Sequence, residues 1–235
     1  MKKLAIFVEG PTEEIFVEKL LLEIARQNSI VFTIKRFSGG NECVRSPKII
    51  QTASPTRTTE YYILIYTSCN DERVVSDYKE RYAGLLTSGY EMIIALRDLY
   101  PIAYENLERV KTSINNVLIS NSIPNNIHIA VREVETWFLG EYTHFEKIDG
   151  DITLDSIQSK TGYLFPLSEY EESILHPAKT LDEIYNIKGY RYLKTANQVQ
   201  RTVTHINYEN LLTTVRNEMP SLNGFLNDID LFFKK

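Results

Sequence analysis

The sequence predicts an α/β domain with a mainly parallel sheet flanked by helices, and a helical C-terminal part. Short apolar runs, which are typical of buried strands, alternate with segments of helical periodicity over the first part of the chain. Past residue 150 the helical segments continue without another strong strand. The chain has 235 residues and is 43% hydrophobic, which is enough to build the core of one or two domains.

The first strand is predicted over residues 3–8 (KLAIFV), a short apolar run. A helix is predicted over residues 11–26, with an apolar stripe at helical spacing. Pro11 suits the first helical position, and Glu13 and Glu14 suit the positive end of the helix dipole.

A second strand is predicted over residues 30–37. A polar stretch rich in Ser, Thr and Pro follows at about 38–59, and we interpret it as a loop or hairpin insertion. Residues 61–66 (YYILIY) form the strongest strand pattern. The helix predicted next, over 71–87, ends before Gly89, which suits a C-terminal cap.

Two further strands are predicted at 92–96 (MIIAL) and 127–131 (IHIAV), with a helix over 103–119 between them. The α/β domain is therefore expected to cover residues 1–140, and residues 141–235 to form a mainly helical part packed on it. Helical segments are expected there at 178–187, 193–203, 207–216 and 221–233.

Composition narrows the classes of function and the expected compartment. The net charge of −5 does not favour a strongly basic nucleic-acid binder, although residues 35–58 are locally basic. Two cysteines, Cys43 and Cys69, form neither a disulfide framework nor a zinc site, which favours free thiols in a reducing cytoplasm. No apolar run resembles a signal peptide or a membrane span, so we expect a cytoplasmic protein.

Acidic residues follow three of the predicted strands. Glu9 ends the first strand, Asp98 ends the strand at 92–96, and Glu133 and Glu135 follow the strand at 127–131. Ligands of open parallel sheets bind outside the carboxyl ends of the strands, so these acids are expected to share a site. Several carboxylates with little local histidine suit Mg²⁺ or Mn²⁺, which would serve phosphate chemistry.

Each acid also has an ordinary structural explanation. Glu13 can simply favour the start of its helix, and Asp98 can be a turn residue. Glu133 and Glu135 can cap the helix that holds Trp137, and an aromatic residue such as Trp137 is more often part of a core than a stacking platform.

Five short motifs occur in a characteristic order. They are residues 8–13 (VEGPTE), 96–100 (LRDLY), 132–137 (REVETW), 177–181 (PAKTL) and 192–195 (YLKT). In this order they resemble Toprim-like proteins, and in particular a small branch near the OLD-family and RloB-type nucleases. The resemblance spans roughly residues 4–230.

The resemblance implies roles for several residues. Glu9 takes the place of the first-strand glutamate, a metal ligand or proton-transfer group, and Glu13 takes that of the branch's second acid. Lys179 in the PAKTL motif, or Arg97, would stabilise the charge of a phosphate in the transition state, although Lys179 can equally be a surface charge.

Asp98 matches the first member of the Asp-x-Asp pair that binds Mg²⁺ in Toprim enzymes, but Tyr100 stands at the second position. A phenol at neutral pH is a poor ligand for Mg²⁺ compared with a carboxylate. Either Glu133 or Glu135 supplies the missing ligand, or the metal site is weakened or lost.

Three functions follow as expectations. The first is a Toprim-type metal-dependent phosphoesterase, most simply a nuclease acting on DNA or RNA, for which the resemblance suggests a role in phage defence. The second is a non-catalytic module that partners a separate ABC-type ATPase, since this chain has no P-loop. The third is a protein that binds a nucleotide or a small phosphate ligand without hydrolysis.

Overall fold

The structure is a computed structural model, and it confirms the predicted fold class. A six-stranded, mostly parallel sheet is flanked by helices and followed by a helical C-terminal region. The described residues are 1–26, 29–39, 45–69, 73–119, 123–167 and 169–234. Cys43 and the first residues of the predicted helix at 71–87 lie outside them. Among the described residues, no helix combines the length and the apolar character that crossing a bilayer requires.

The strands closely follow the predicted apolar runs. They are β1 (Lys2–Val8), β2 (Ile30–Ser38), β3 (Ser46–Thr52), β4 (Tyr61–Thr67), β5 (Met92–Asp98) and β6 (Asn125–Ala130). Their spatial order is β3-β2-β4-β1-β5-β6. β1 pairs in parallel with β4 and β5, and β2 pairs in parallel with β4.

β3 lies within the insertion predicted at 38–59, where it pairs antiparallel with β2 at the edge of the sheet. The hairpin alternative for this segment is therefore the one that the structure shows. Most residues of β3 are exposed, which explains why no alternating apolar pattern marks it as a strand.

The longer helices correspond to the predicted ones, and several short helices were not predicted. The α-helices are α1 (Pro11–Ala25), α2 (Val74–Thr87), α3 (Leu107–Asn115), α4 (Glu135–Gly140), α5 (His144–Ile148), α6 (Leu154–Thr161), α7 (Tyr170–Ser173), α8 (Pro177–Asn186), α9 (Ala196–His205), α10 (Tyr208–Asn210), α11 (Arg216–Glu218) and α12 (Pro220–Phe233). A 3₁₀ turn, Tyr104–Asn106, precedes α3, and a π-helical segment, Leu211–Val215, joins α10 to α11. The helices α5, α6 and α7 have eight residues or fewer, which is too short for a clear periodic pattern.

The chain divides into two compact units, and the division crosses the sequence several times. The first unit contains residues 1–97, 108–129 and 228–235, and the second contains 98–107 and 130–227. The sequence pattern had led us to expect a single boundary near residue 140.

Each unit has its own buried core. In the first, the strands β1, β4 and β5 are almost fully buried, and the ring of Tyr61 lies 5.6 Å from that of Phe232. In the second, large side chains such as Trp137, Phe145 and Tyr185 have no exposed surface. Both cores are of the size that single domains use to stabilise themselves.

Candidate metal centre

The side chains of Asp98, Glu133 and Glu135 form an acidic cluster in the second unit. Each offers one carboxylate oxygen, and these three oxygens all lie within 4.8 Å of one another. Asp98 is 4% exposed and Glu135 is fully buried, whereas Glu133 is partly exposed. No second group of this kind, built from three or more His, Cys, Asp or Glu residues, occurs among the described residues.

The backbone that carries the cluster is held by hydrogen bonds on both sides. The N–H of Leu99 donates to the carbonyl of Ala130 at 2.9 Å, just after Asp98. The Asp98 carboxylate then accepts the N–H of Val134 at 3.0 Å. Asp98 is thereby tied to the turn between Glu133 and Glu135, which explains why acids so far apart in sequence meet.

Glu133 and Glu135 are each held by a different segment of the second unit. Oε2 of Glu133 accepts the N–H of Ala178 at 3.2 Å, in the first turn of α8, where the helix dipole favours a negative charge. Oε1 of Glu135 accepts the hydroxyl of Tyr192 at 3.0 Å. These contacts orient both carboxylates before any ligand binds.

Lys194 places its ammonium group among the carboxylates. Its Nζ lies 2.7 Å from Oε1 of Glu133 and 3.2 Å from Oε1 of Glu135. Burial disfavours the charge of Lys194, but the Glu135 and Glu133 carboxylates outweigh that effect and raise its pKa well above the ordinary value. The lysine is therefore protonated at neutral pH, and it compensates part of the negative charge of the cluster.

Strained backbone occurs at two non-glycine residues of this site. Arg132, which precedes Glu133, has φ of 66°, and Lys194 has φ of 56°. Positive φ is uncommon outside glycine and costs of order 1–3 kcal/mol per residue. Arg26, Cys69 and Glu169 also have positive φ, so such backbone is not confined to this site.

Lys179, which was predicted to stabilise phosphate charge, forms its ion pair with Glu183. Its side chain is 73% exposed on α8, and its ammonium lies 3.7 Å from a carboxylate oxygen of Glu183. The lysine that contacts the cluster is Lys194, which the sequence reasoning missed. The YLKT motif at residues 192–195 was the signal that could have identified it.

Glu9 and Glu13 belong to the first unit. Glu9 is partly exposed just after β1, and Glu13 is buried. The Glu13 carboxylate accepts the N–H of Gly10 at 2.7 Å, as a residue of this kind does in a capping box. A Cβ added at Gly10 would lie 3.3 Å from this carboxylate, so the turn favours glycine. This geometry is the one that the helix-start alternative predicts for Glu13, and its role as a second acid stays a prediction.

Glu14, the next residue, forms an ion pair with Arg36 in the first unit. Its carboxylate accepts hydrogen bonds from Nε and Nη2 of Arg36 at 2.8 and 2.6 Å, and another from the hydroxyl of Thr67. Arg36 and Thr67 are aligned partners in the pairing of β2 with β4. This ion pair joins α1 to the carboxyl ends of two strands, a structural role that the sequence alone did not indicate.

Two aromatic residues near the motifs have different positions. Trp137 is fully buried, donates from Nε1 to the Ser221 hydroxyl at 2.8 Å and stacks on Phe225, so it is a core residue. Tyr100, where the Toprim pattern has its second acid, is 50% exposed.

The chemistry of the donor set suits a divalent cation. The cluster offers only carboxylate oxygens, the ligands that hard cations such as Mg²⁺ and Mn²⁺ prefer. Lys194 offsets one of the three negative charges, and the remaining charge matches that of a divalent ion. The cluster can therefore hold a metal ion.

Comparisons with known proteins extend over almost the whole chain. A family model described as "Domain of unknown function (DUF4276)" matches residues 8–230. A crystal structure of a hypothetical protein from Pyrococcus horikoshii OT3 is similar, with a TM-score of 0.52 and 15% identity over 97% of this chain and 100% of that one. At that identity the likeness shows a common fold. A search of curated proteins found no match.

Proposed function

The chain belongs to the DUF4276 family of domains of unknown function, and we propose that it is a metal-dependent phosphoesterase, most simply a nuclease. The observation that carries this proposal is the acidic cluster, in which Asp98, Glu133 and Glu135 bring carboxylate oxygens within 4.8 Å of one another. The Toprim resemblance of the motifs that contain these acids supports the same class of reaction.

Asp98, Glu133 and Glu135 would hold the metal, and Mg²⁺ or Mn²⁺ fits their oxygen-only donor set. When bound, such an ion polarises a phosphoryl oxygen and lowers the pKa of a coordinated water. Tyr192 and the N–H of Ala178 keep the carboxylates of Glu135 and Glu133 oriented, as outer hydrogen-bond partners do around metal ligands.

Lys194 has a separate role in this proposal. Its ammonium is about one-third exposed and is charged at neutral pH, so it can face the negative charge of a bound phosphate. The carboxylates of Glu133 and Glu135 hold the ammonium group of Lys194 next to the metal ligands. A protonated amine cannot itself bind a metal. It thus takes the charge-stabilising function that the sequence had suggested for Lys179.

Nucleic acid is the substrate class that we favour, with DNA and RNA both open. The net charge of −5 disfavours tight binding to a long duplex, so single-stranded or short substrates suit the chain better. The role of Glu9 as a further ligand or proton-transfer group stays a prediction, which Glu9→Gln would test.

The test is a cleavage assay on single- and double-stranded DNA and RNA with Mg²⁺, Mn²⁺ or EDTA. We expect cleavage that requires the metal and falls at least about a hundredfold in Glu135→Gln, since one lost electrostatic group commonly has that effect. Lys179→Gln is the matched control and should keep full activity, because Lys179 is exposed on α8. Cleavage that survives EDTA, or that Glu135→Gln leaves unchanged, would contradict the proposal.

One observation favours a second candidate, a non-catalytic module such as a partner of an ABC-type ATPase. Lys194 already neutralises part of the cluster, so the acids and the lysine can act as a structural ion pair. This candidate predicts no binding of divalent metal at millimolar concentration and no cleavage.

A further inference from the structure

A cavity lies in the first unit, on one face of the sheet. Its volume is about 440 Å³, within the range of sites for small ligands. Tyr62, Leu64 and Tyr66 line it from β4, where alternate residues share a face. The strand register aligns Lys3 with Tyr62 and Lys35 with Tyr66, so two lysines extend this wall.

Arg81, Gly84 and Leu85 of α2, and Ser88 directly after the helix, also line the cavity. Gly84 lies in the interior of the helix, where glycine is less favourable than alanine. A Cβ added there would meet no atom within 4 Å. A side chain at position 84 would therefore project into open space beside the cavity.

Three cations converge on this cavity without a matching acid. Lys3, Lys35 and Arg81 all line it, and none forms an ion pair with a carboxylate of the described residues. The Nε of Arg81 is buried and has no hydrogen-bond partner among those residues. Burial raises the pKa of Tyr66, and the nearby charge of Arg81 offsets part of that rise.

Tyrosine rings form the remaining surface. The Nζ of Lys35 lies 5.6 Å from the ring centroid of Tyr66, and the Nζ of Lys3 lies 5.8 Å from that of Tyr90. Burial raises the pKa of Tyr66 and Tyr90, so both phenols keep their protons at neutral pH and can donate hydrogen bonds. Lys3 also donates from Nζ to the carbonyl of Ser88 at 2.9 Å. Aromatic rings beside cations that have no carboxylate partner among the described residues are suited to a ligand that has both a planar ring and a negative charge.

We propose that this cavity binds a nucleoside monophosphate, with the phosphate facing Lys35 and Arg81 and the base packing on the partly exposed ring of Tyr62. The cavity has room for a ligand of that size, and stacking on an aromatic side chain is tolerant of the base. The site lies wholly in the first unit and contains none of the acidic cluster, so it does not depend on the proposed phosphoesterase activity.

The test is isothermal titration calorimetry of the full chain in EDTA with AMP, GMP, CMP and UMP, and separately with inorganic phosphate and adenosine. We expect at least one monophosphate to bind with a Kd below about 1 mM and more tightly than phosphate or adenosine alone. Arg81→Gln and Lys35→Gln should each weaken binding about tenfold, as loss of a charge-assisted hydrogen bond does.

Two variants of one residue test the cavity itself. Gly84→Leu should abolish binding because its side chain fills the space, whereas Gly84→Ala should bind as the wild type does. Glu135→Gln should also bind nucleotide normally, which separates this site from the metal centre. Absence of binding at 5 mM of every monophosphate would overturn the proposal. An unchanged affinity in Arg81→Gln would overturn it as well. This second variant keeps the proposal testable even if Gly84→Leu fails to fold.

Discussion

Replacement of Lys194 by methionine would leave the carboxylates of the cluster without their ammonium partner. Glu135 is fully buried, and removing one member of a buried ion pair costs about 3–5 kcal/mol. Because the Lys194 side chain is 36% exposed, solvent screening reduces this effect. We therefore expect metal-free Lys194→Met to lose about 2–3 kcal/mol of unfolding free energy.

Divalent metal should reduce this loss. A cation bound by the three carboxylates replaces the missing positive charge, and it should bind the variant more tightly because no ammonium competes for Glu133 and Glu135. A ligand at a hundred times its Kd stabilises the folded state by about 2.7 kcal/mol. The wild type is stabilised by its own bound ion as well, so Mg²⁺ should narrow the stability difference between Lys194→Met and wild type by the difference between the two gains.

The assay is urea unfolding followed by circular dichroism, in EDTA and in 10 mM Mg²⁺. Lys179→Met is the matched control, and its stability should stay within about 0.5 kcal/mol of wild type because Lys179 is exposed. The reasoning would be refuted if Lys194→Met were as stable as wild type in EDTA, or if Mg²⁺ left the difference between them unchanged.

Three further predictions concern residues outside the cluster. Glu13→Ala should lower the free energy of unfolding by about 1 kcal/mol, because the N–H of Gly10 loses its acceptor. Glu13→Gln keeps an acceptor and should be more stable than Glu13→Ala. Equal stability of the two variants in urea unfolding would argue against the cap. Burial lowers the pKa of His144 from 6.5 to about 4. Between these pH values the histidine is therefore protonated in the unfolded chain and neutral in the folded one. Unfolding free energy should therefore decline by up to about 3 kcal/mol over that window, and His144→Gln should remove this component in unfolding titrations at pH 7 and pH 4.5. Trp137→Phe should cost about 1–3 kcal/mol in the same assay through the lost hydrogen bond to Ser221 and the smaller ring, and an unchanged stability would contradict its place in the core.

The order of strands and long helices could be predicted because each depends on a local pattern. Apolar runs such as residues 61–66 identify buried strands regardless of what they pack against. β3 could be predicted only as one arm of a possible hairpin, because its side chains are exposed and carry no such pattern. The short helices α5 and α7 depend on tertiary packing rather than on periodicity.

The candidate site could be predicted in part for a similar reason. Asp98, Glu133 and Glu135 follow strands directly, so the topology of a sheet alone suggests that they meet. Lys194 lies 61 residues beyond Glu133, in a segment without regular structure, and its contact arises only from the folded chain. Lys179 is part of the PAKTL motif, but the motif alone does not reveal that its side chain is exposed on α8.

Calorimetric titration of Mg²⁺ and Mn²⁺ into the wild-type chain is the most direct test of the metal centre, with Asp98→Asn, Glu135→Gln and the exposed control Glu183→Gln beside it. One ion should bind per chain. Asp98→Asn and Glu135→Gln should each weaken binding at least about tenfold, whereas Glu183→Gln should not, since a ligand of the metal contributes more than a surface charge. Absence of binding up to 10 mM of either metal, or equal affinity in all four proteins, would contradict the assignment of these carboxylates as metal ligands.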